Sequence, residues 1–114
     1  MNFSSDDLEK FIVKAKANGW AGAEPGGQKL PSSKPGSYDI SFTSGDFYYH
    51  DSFVGLSDFC EQEHVTYKGE PVWSMAYFGY LLRPGEFSGT QVVAVLKNAL
   101  GAMYSEGRFL GGFT

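Results

Sequence analysis

The chain has 114 residues and a mass of 12.5 kDa, the length of one domain that can bury a core without covalent staples. Hydrophobic residues make up 42% and charged residues 19%, the balance of a folded globule and not of a disordered chain. Nine Lys and Arg against thirteen Asp and Glu leave a net charge of −4, which excludes a basic clamp for nucleic acid, and the single cysteine excludes a disulfide framework or a multi-cysteine zinc site.

Taken in chain order, Ser4 and Asp7 have the spacing of a capping box, and Leu8, Phe11, Ile12 and Ala15 recur at helical spacing. This predicts a helix over 4–18, with Lys14 and Lys16 suited to its C-terminal dipole and Asn18-Gly19 as its stop. The acidic start lacks the basic and apolar regions of a signal peptide, and no apolar run is long enough to span a bilayer, so a soluble cytoplasmic domain with no membrane contact is expected. Residues 21–36 are rich in glycine and proline and predict a long loop, read as a flexible flap.

Residues 37–82 read as four strands. Tyr38, Ile40 and Phe42 alternate with Asp39, Ser41 and Thr43; a Ser44-Gly45-Asp46 turn leads into a second strand ending at Val54. A connector over 55–59, a third strand from Gln62 to Tyr67, a Lys68-Gly69 turn and a fourth strand from Pro71 to Leu82 follow. Ser88 and Gln91 then cap a second helix over 88–106, with Val92, Leu96, Ala99 and Met103 on one stripe, and an extended tail occupies 108–114. The expected fold is α+β: a four-stranded antiparallel meander in one domain, flanked by an N-terminal and a C-terminal helix.

Charge and parity select the candidate residues. Residues 37–70 carry one base and seven acids. Alternate side chains of a strand share a face, which groups Tyr49 with Asp51, Glu61 with Glu63, and Trp73 with Tyr77. If these sets face the core, Asp51 and Glu63 point inward among aromatics, where a carboxylate must be hydrogen-bonded, paired or protonated. Tyrosine hydroxyls could satisfy them structurally, or they could orient a ligand in a pocket. Cys60 reads as a small buried residue, His64 falls on the polar face with Gln62 and Thr66, and His50 and Asp51 diverge as strand neighbours, so neither a Cys/His nucleophile nor a metal site is expected. No phosphate-cradling glycine motif, nucleophile elbow or zincin motif is present, and no cofactor is expected.

The segments Ser32-Ser33-Lys34-Pro35-Gly36-Ser37-Tyr38-Asp39, Gly45-Asp46-Phe47-Tyr48-Tyr49-His50-Asp51-Ser52 and Pro71-Val72-Trp73-Ser74-Met75-Ala76-Tyr77-Phe78-Gly79 resemble a bacterial family catalogued as domain of unknown function 5680. Phe11-Ile12-Val13-Lys14-Ala15-Lys16 and Trp20-Ala21-Gly22 resemble that family's opening helix and first turn. The resemblance carries no reaction with it. Some relatives bear a helix-turn-helix DNA-binding domain, for which this chain has no room, so what it implies here is the partner or sensor module. Asp39, Asp51, Glu63 and Trp73 fall on motif positions, whereas Cys60, Glu61 and His64 stand where apolar or small residues are expected.

Three functions follow as expectations. The first is a non-enzymatic binding module with an aromatic- and carboxylate-lined pocket for an unknown small ligand, drawing on Asp39, Tyr49, Asp51, Glu63, Trp73 and Tyr77. The second is a small acidic inhibitor, of phage or mobile-element type, that docks on a basic nucleic-acid-handling protein without touching nucleic acid itself. The third is an acid–base enzyme using Asp51 and Glu63. Exposed sheet edges allow a homodimer in any of the three.

Overall fold

In a computed structural model, which describes residues 3–21, 26–55 and 58–110, seven elements follow one another. Helix α1 (Ser5–Ala17) leads into strands β1 (Gln28–Leu30), β2 (Tyr38–Ser44), β3 (Phe47–Gly55), β4 (Phe59–Tyr67) and β5 (Glu70–Gly79), and helix α2 (Gly89–Ser105) closes the series. All neighbouring strands are antiparallel and the sheet order is the chain order. The α+β class and the two flanking helices agree with the sequence, but the sheet has five strands instead of four. The added strand lies inside the stretch read as loop 21–36, where Gln28, Lys29 and Leu30 pair with Ser41, Ile40 and Asp39. Three residues among glycines and prolines offer no period to detect.

Both helices start as their sequences dictate. The Asp7 amide donates to Ser4 Oγ and the Ser4 amide to Asp7 Oδ2, and Ser88 and Gln91 repeat this reciprocal pair at α2. The Tyr67–Glu70 hairpin closes through Lys68 (φ +50°) and Gly69 (φ +82°), the pair of positive angles a two-residue turn needs to match the strand twist. Strand β4 begins at Phe59, three residues earlier than expected, and β5 stops at Gly79, three residues short of Leu82.

Alternation sorts the sheet into two faces. Along β4, Glu61, Glu63 and Val65 are buried while Cys60, Gln62 and His64 are exposed. The buried face takes both helices. Phe11, Ile12 and Ala15 of α1 pack with Tyr49 and Val65, and Leu8, Phe42, Phe47, Val72, Trp73 and Phe109 extend that core. A second cluster joins Ala21 to Met103 and Tyr104 of α2, with Trp20 and Leu100 against it. Burial of this kind contributes roughly 25 cal/mol per Å² of apolar surface and holds α1 and α2 on one side. No helix among the described residues is long and apolar enough to cross a membrane.

The outer face of β2 and β3 is covered by the segment read as a flap. Ser33 and Ser37 donate hydroxyl hydrogen bonds to Asp39, and Lys34 Nζ donates to Ser52 Oγ at 2.8 Å. Residues 33–37 are thus pinned to the sheet on the side away from the helices. Residues 22–25 of the expected loop and 111–114 of the expected tail lie outside the described residues.

Candidate functional site

Register places the acids. Across the inner face, Ile40, Asp51, Glu63 and Met75 form one row, and Tyr38, Phe53, Glu61 and Tyr77 form the next. Asp51 and Glu63 are therefore direct cross-strand neighbours, and Glu61 sits diagonal to Asp51. Like charges at opposed positions repel, the more so out of water. Yet Asp51 is 2% exposed, Glu63 1% and Glu61 6%, and their oxygens lie within 4.8 Å of one another, close enough to share one cation.

Two devices hold this cluster together. Lys16 reaches in from the last turn of α1, only 5% exposed, and its Nζ donates to Glu63 Oε1 at 2.6 Å. The ammonium also lies 6.0 Å from the Tyr77 ring centre and 5.7 Å from that of Tyr104, within cation–π range. The Tyr49 hydroxyl donates to the same Glu63 oxygen. The second device is a proton. Burial, reinforced by the neighbouring Glu61 and Glu63 carboxylates, pushes the Asp51 carboxyl up to about 9, so it donates to Glu61. Burial also raises Glu61, against the pull of hydrogen bonds from Asp51 and Tyr77. Tyr49, Tyr77 and Tyr104 are all raised, first by burial and then by the surrounding carboxylates, and serve only as protonated phenols. Among the described residues, Asp51 Oδ1 and Glu63 Oε2 find no hydrogen-bond partner.

A cavity of about 310 Å³ opens beside the cluster, between α2 and the β3–β5 end of the sheet. Phe53, Phe59, Val92 and Leu96 are among its walls, and Glu61 and Tyr77 supply its polar groups. A side-chain carbon at Gly79 would fall 2.7 Å from the Phe59 ring, so glycine there lets that ring lie against β5 as a wall. A smaller gap of about 10 Å³, room for one water-sized group, lies over Lys16, Asp51, Glu61 and Glu63, and shares Trp20, Glu61, Tyr77 and Leu100 with the larger space.

Of the residues chosen from sequence, Tyr49, Asp51, Glu63 and Tyr77 meet in this cluster. Asp39 does not. It pairs with Ser52 on the opposite face, where burial would raise its carboxyl but hydrogen bonds from Ser33, Ser37 and His50 hold it well below the ordinary range. His50 Nε2 lies 2.7 Å from Asp39 Oδ2. Ser33, Asp39 and His50 are the residue types of a hydrolytic triad, but Ser33 gives its proton to Asp39 and not to His50, the wrong order for activating a serine. Trp73 is also elsewhere: it registers with Val65 and meets the Phe109 ring edge-on at 5.8 Å, as part of the core. Cys60, expected to be buried, is exposed, because it faces outward with Gln62 and His64.

Sequence reading passed over Glu61, Lys16 and Tyr104. The signal for Glu61 was its shared parity with Glu63. Lys16 had none, since its partner lies 47 residues away.

Comparisons with curated proteins and with solved structures gave no significant match. One family model, described as "Domain of unknown function (DUF5680)", matches residues 51–114, more than half of the chain. The matched range holds Asp51, Glu61, Glu63, Tyr77 and Tyr104 and most of the cavity wall, whereas Lys16, Trp20 and Tyr49 precede it. On that match, the chain belongs to the DUF5680 family.

Proposed function

We propose that the chain is a non-enzymatic binding module for a small, largely apolar molecule, seated between α2 and the β3–β5 end of the sheet with its polar end toward Glu61 and Tyr77. The observation that carries this reading is a cavity of ligand size whose few polar groups belong to a buried acid cluster. Sites of several hundred Å³ with apolar walls and a few convergent polar groups are the usual form of a small-molecule site. The acidity of residues 37–70 gives little support to docking on a basic protein. Four of its seven acids, Asp39, Asp51, Glu61 and Glu63, are buried, which leaves Asp46, Asp58 and Glu70 outside. One feature favours the acid–base reading: burial among carboxylates raises the Asp51 carboxyl out of the ordinary aspartate range. Turnover of a bound compound would move the site to that class.

N-phenyl-1-naphthylamine, an uncharged apolar fluorophore at neutral pH, tests the pocket directly. Its emission should rise saturably with a stoichiometry of one. Leu96→Trp, which fills the cavity from α2, should weaken binding at least about tenfold with the melting temperature held. A linear, non-saturating response would refute the pocket.

A further inference from the structure

Resting on the pocket reading above, we propose that the ligand is a lipophilic monocation: an ammonium on an apolar body, with its charge against Glu61 and Asp51.

The first argument is charge. Three buried carboxylates face one built-in counter-ion, Lys16, which is bonded to Glu63. What the cluster lacks is positive charge and donors. Asp51 Oδ1 and Glu63 Oε2 are buried acceptors with no partner among the described residues, and both residues line the gap of about 10 Å³. The Asp51 proton is engaged with Glu61, so the oxygen it leaves free, like Glu63 Oε2, can only accept, and the group that completes this site must donate.

The second argument is that the chain already shows how the site takes an ammonium. Lys16 Nζ is held by a carboxylate at 2.6 Å and lies within 6.0 Å of two tyrosine ring centres. Carboxylate and aromatic faces together form the surroundings that favour organic cations. The gap over Asp51 and Glu61 offers the same elements to a second head group, with Trp20 and Tyr77 shared with the larger cavity. Lys16 is already bonded to Glu63, which leaves Asp51 and Glu61, joined by one hydrogen bond, as the place for one further ammonium. The body is apolar because the cavity beside the gap is walled by Phe53, Phe59 and Leu96.

Isothermal titration with three compounds of one shape tests this: 1-naphthylmethylamine, 1-naphthalenemethanol and 1-naphthoate. The amine should bind at least about tenfold tighter than the alcohol, and the anion weakest of all, since a charge-assisted hydrogen bond outweighs a neutral one by that much. In Asp51→Asn/Glu61→Gln the amine should fall to the level of the alcohol, and unchanged alcohol binding would show that the pocket is intact. If the double variant fails to fold, Glu61→Gln alone should lose most of the preference. Equal binding of all three compounds would overturn the cation and leave the pocket standing. Binding of none would overturn both. Displacement of the amine by manganese chloride at one ion per chain would assign the cluster to a dication and overturn the proposal.

Discussion

Replacing Lys16 with methionine is expected to cost the fold about 3–5 kcal/mol, the penalty of removing one partner from a buried ion pair. Methionine keeps most of the apolar stem of the lysine, so packing changes little and the loss is electrostatic. Lys16 is the one cation reaching three carboxylates among the described residues of this cluster, and its partner Glu63 is 1% exposed. Without the ammonium, Glu63 and its neighbour Glu61 have no counter-charge and little water, with only the Asp51 proton beside them. For a chain of this length such a loss is a large part of total stability and lowers the melting temperature by roughly 10–20 °C. Lys16→Met/Glu63→Gln should regain most of it, because both members of the pair are then neutral and near in shape. Urea unfolding of the two single variants and the double variant gives the coupling energy. A cost below about 1 kcal/mol for Lys16→Met, the range of an exposed pair, would show that the ammonium does not stabilise the cluster.

The same lysine shows where the sequence stops being readable. Ser4 with Asp7 and Ser88 with Gln91 announce both helices, and the alternation through 47–54 and 62–67 turns Asp51 and Glu63 inward, because these signals lie within a few residues of one another. Lys16 carries the local signal of a cation at a helix C-terminus, and only the long-range packing of α1 across the sheet converts that position into a buried counter-ion. Asp39 is a different failure. Tyr38, Ile40 and Phe42 define a core face that leaves Asp39 on the other side, so its separation from Asp51 was legible in the alternation itself. Joining the three acids into one site set that parity aside. For Glu61 the family resemblance pointed toward an apolar residue and drew attention from an acid that parity had already turned inward. Strand β1 was out of reach, since its three residues take their conformation from β2.

Stability is expected to decline as pH rises from about 5 toward 9, the reverse of what paired carboxylates usually produce. The cause is Asp51, surrounded by Lys16 from α1, Tyr49 on its own strand, Glu61 and Glu63 from β4, Tyr77 from β5 and Tyr104 from α2. In the folded chain it keeps its proton up to about 9, whereas in the unfolded chain it releases it near the ordinary aspartate value of 3.8. Between those limits the folded state binds more protons than the unfolded state, and stability falls with pH by up to about 1.4 kcal/mol per unit for each such proton. Glu61, also raised, adds to the same slope, while the three tyrosines stay protonated throughout. Asp39 acts in the opposite sense. Its depressed carboxyl contributes stability above 3.8 that is lost as pH falls below it. The two together place the maximum on the acid side of neutrality. Asp51→Asn copies the protonated carboxyl, and its amide can still donate to Glu61. The variant should therefore match the parent near pH 5, exceed it at pH 8 and show a shallower descent. Chemical denaturation from pH 3 to 9 reads both curves. A flat parent profile between pH 5 and 8 would show that Asp51 does not hold its proton. A loss of many degrees by Asp51→Asn at pH 8 would make Asp51 a structural hydrogen-bond centre, and the monocation would then have to be held by Glu61 alone.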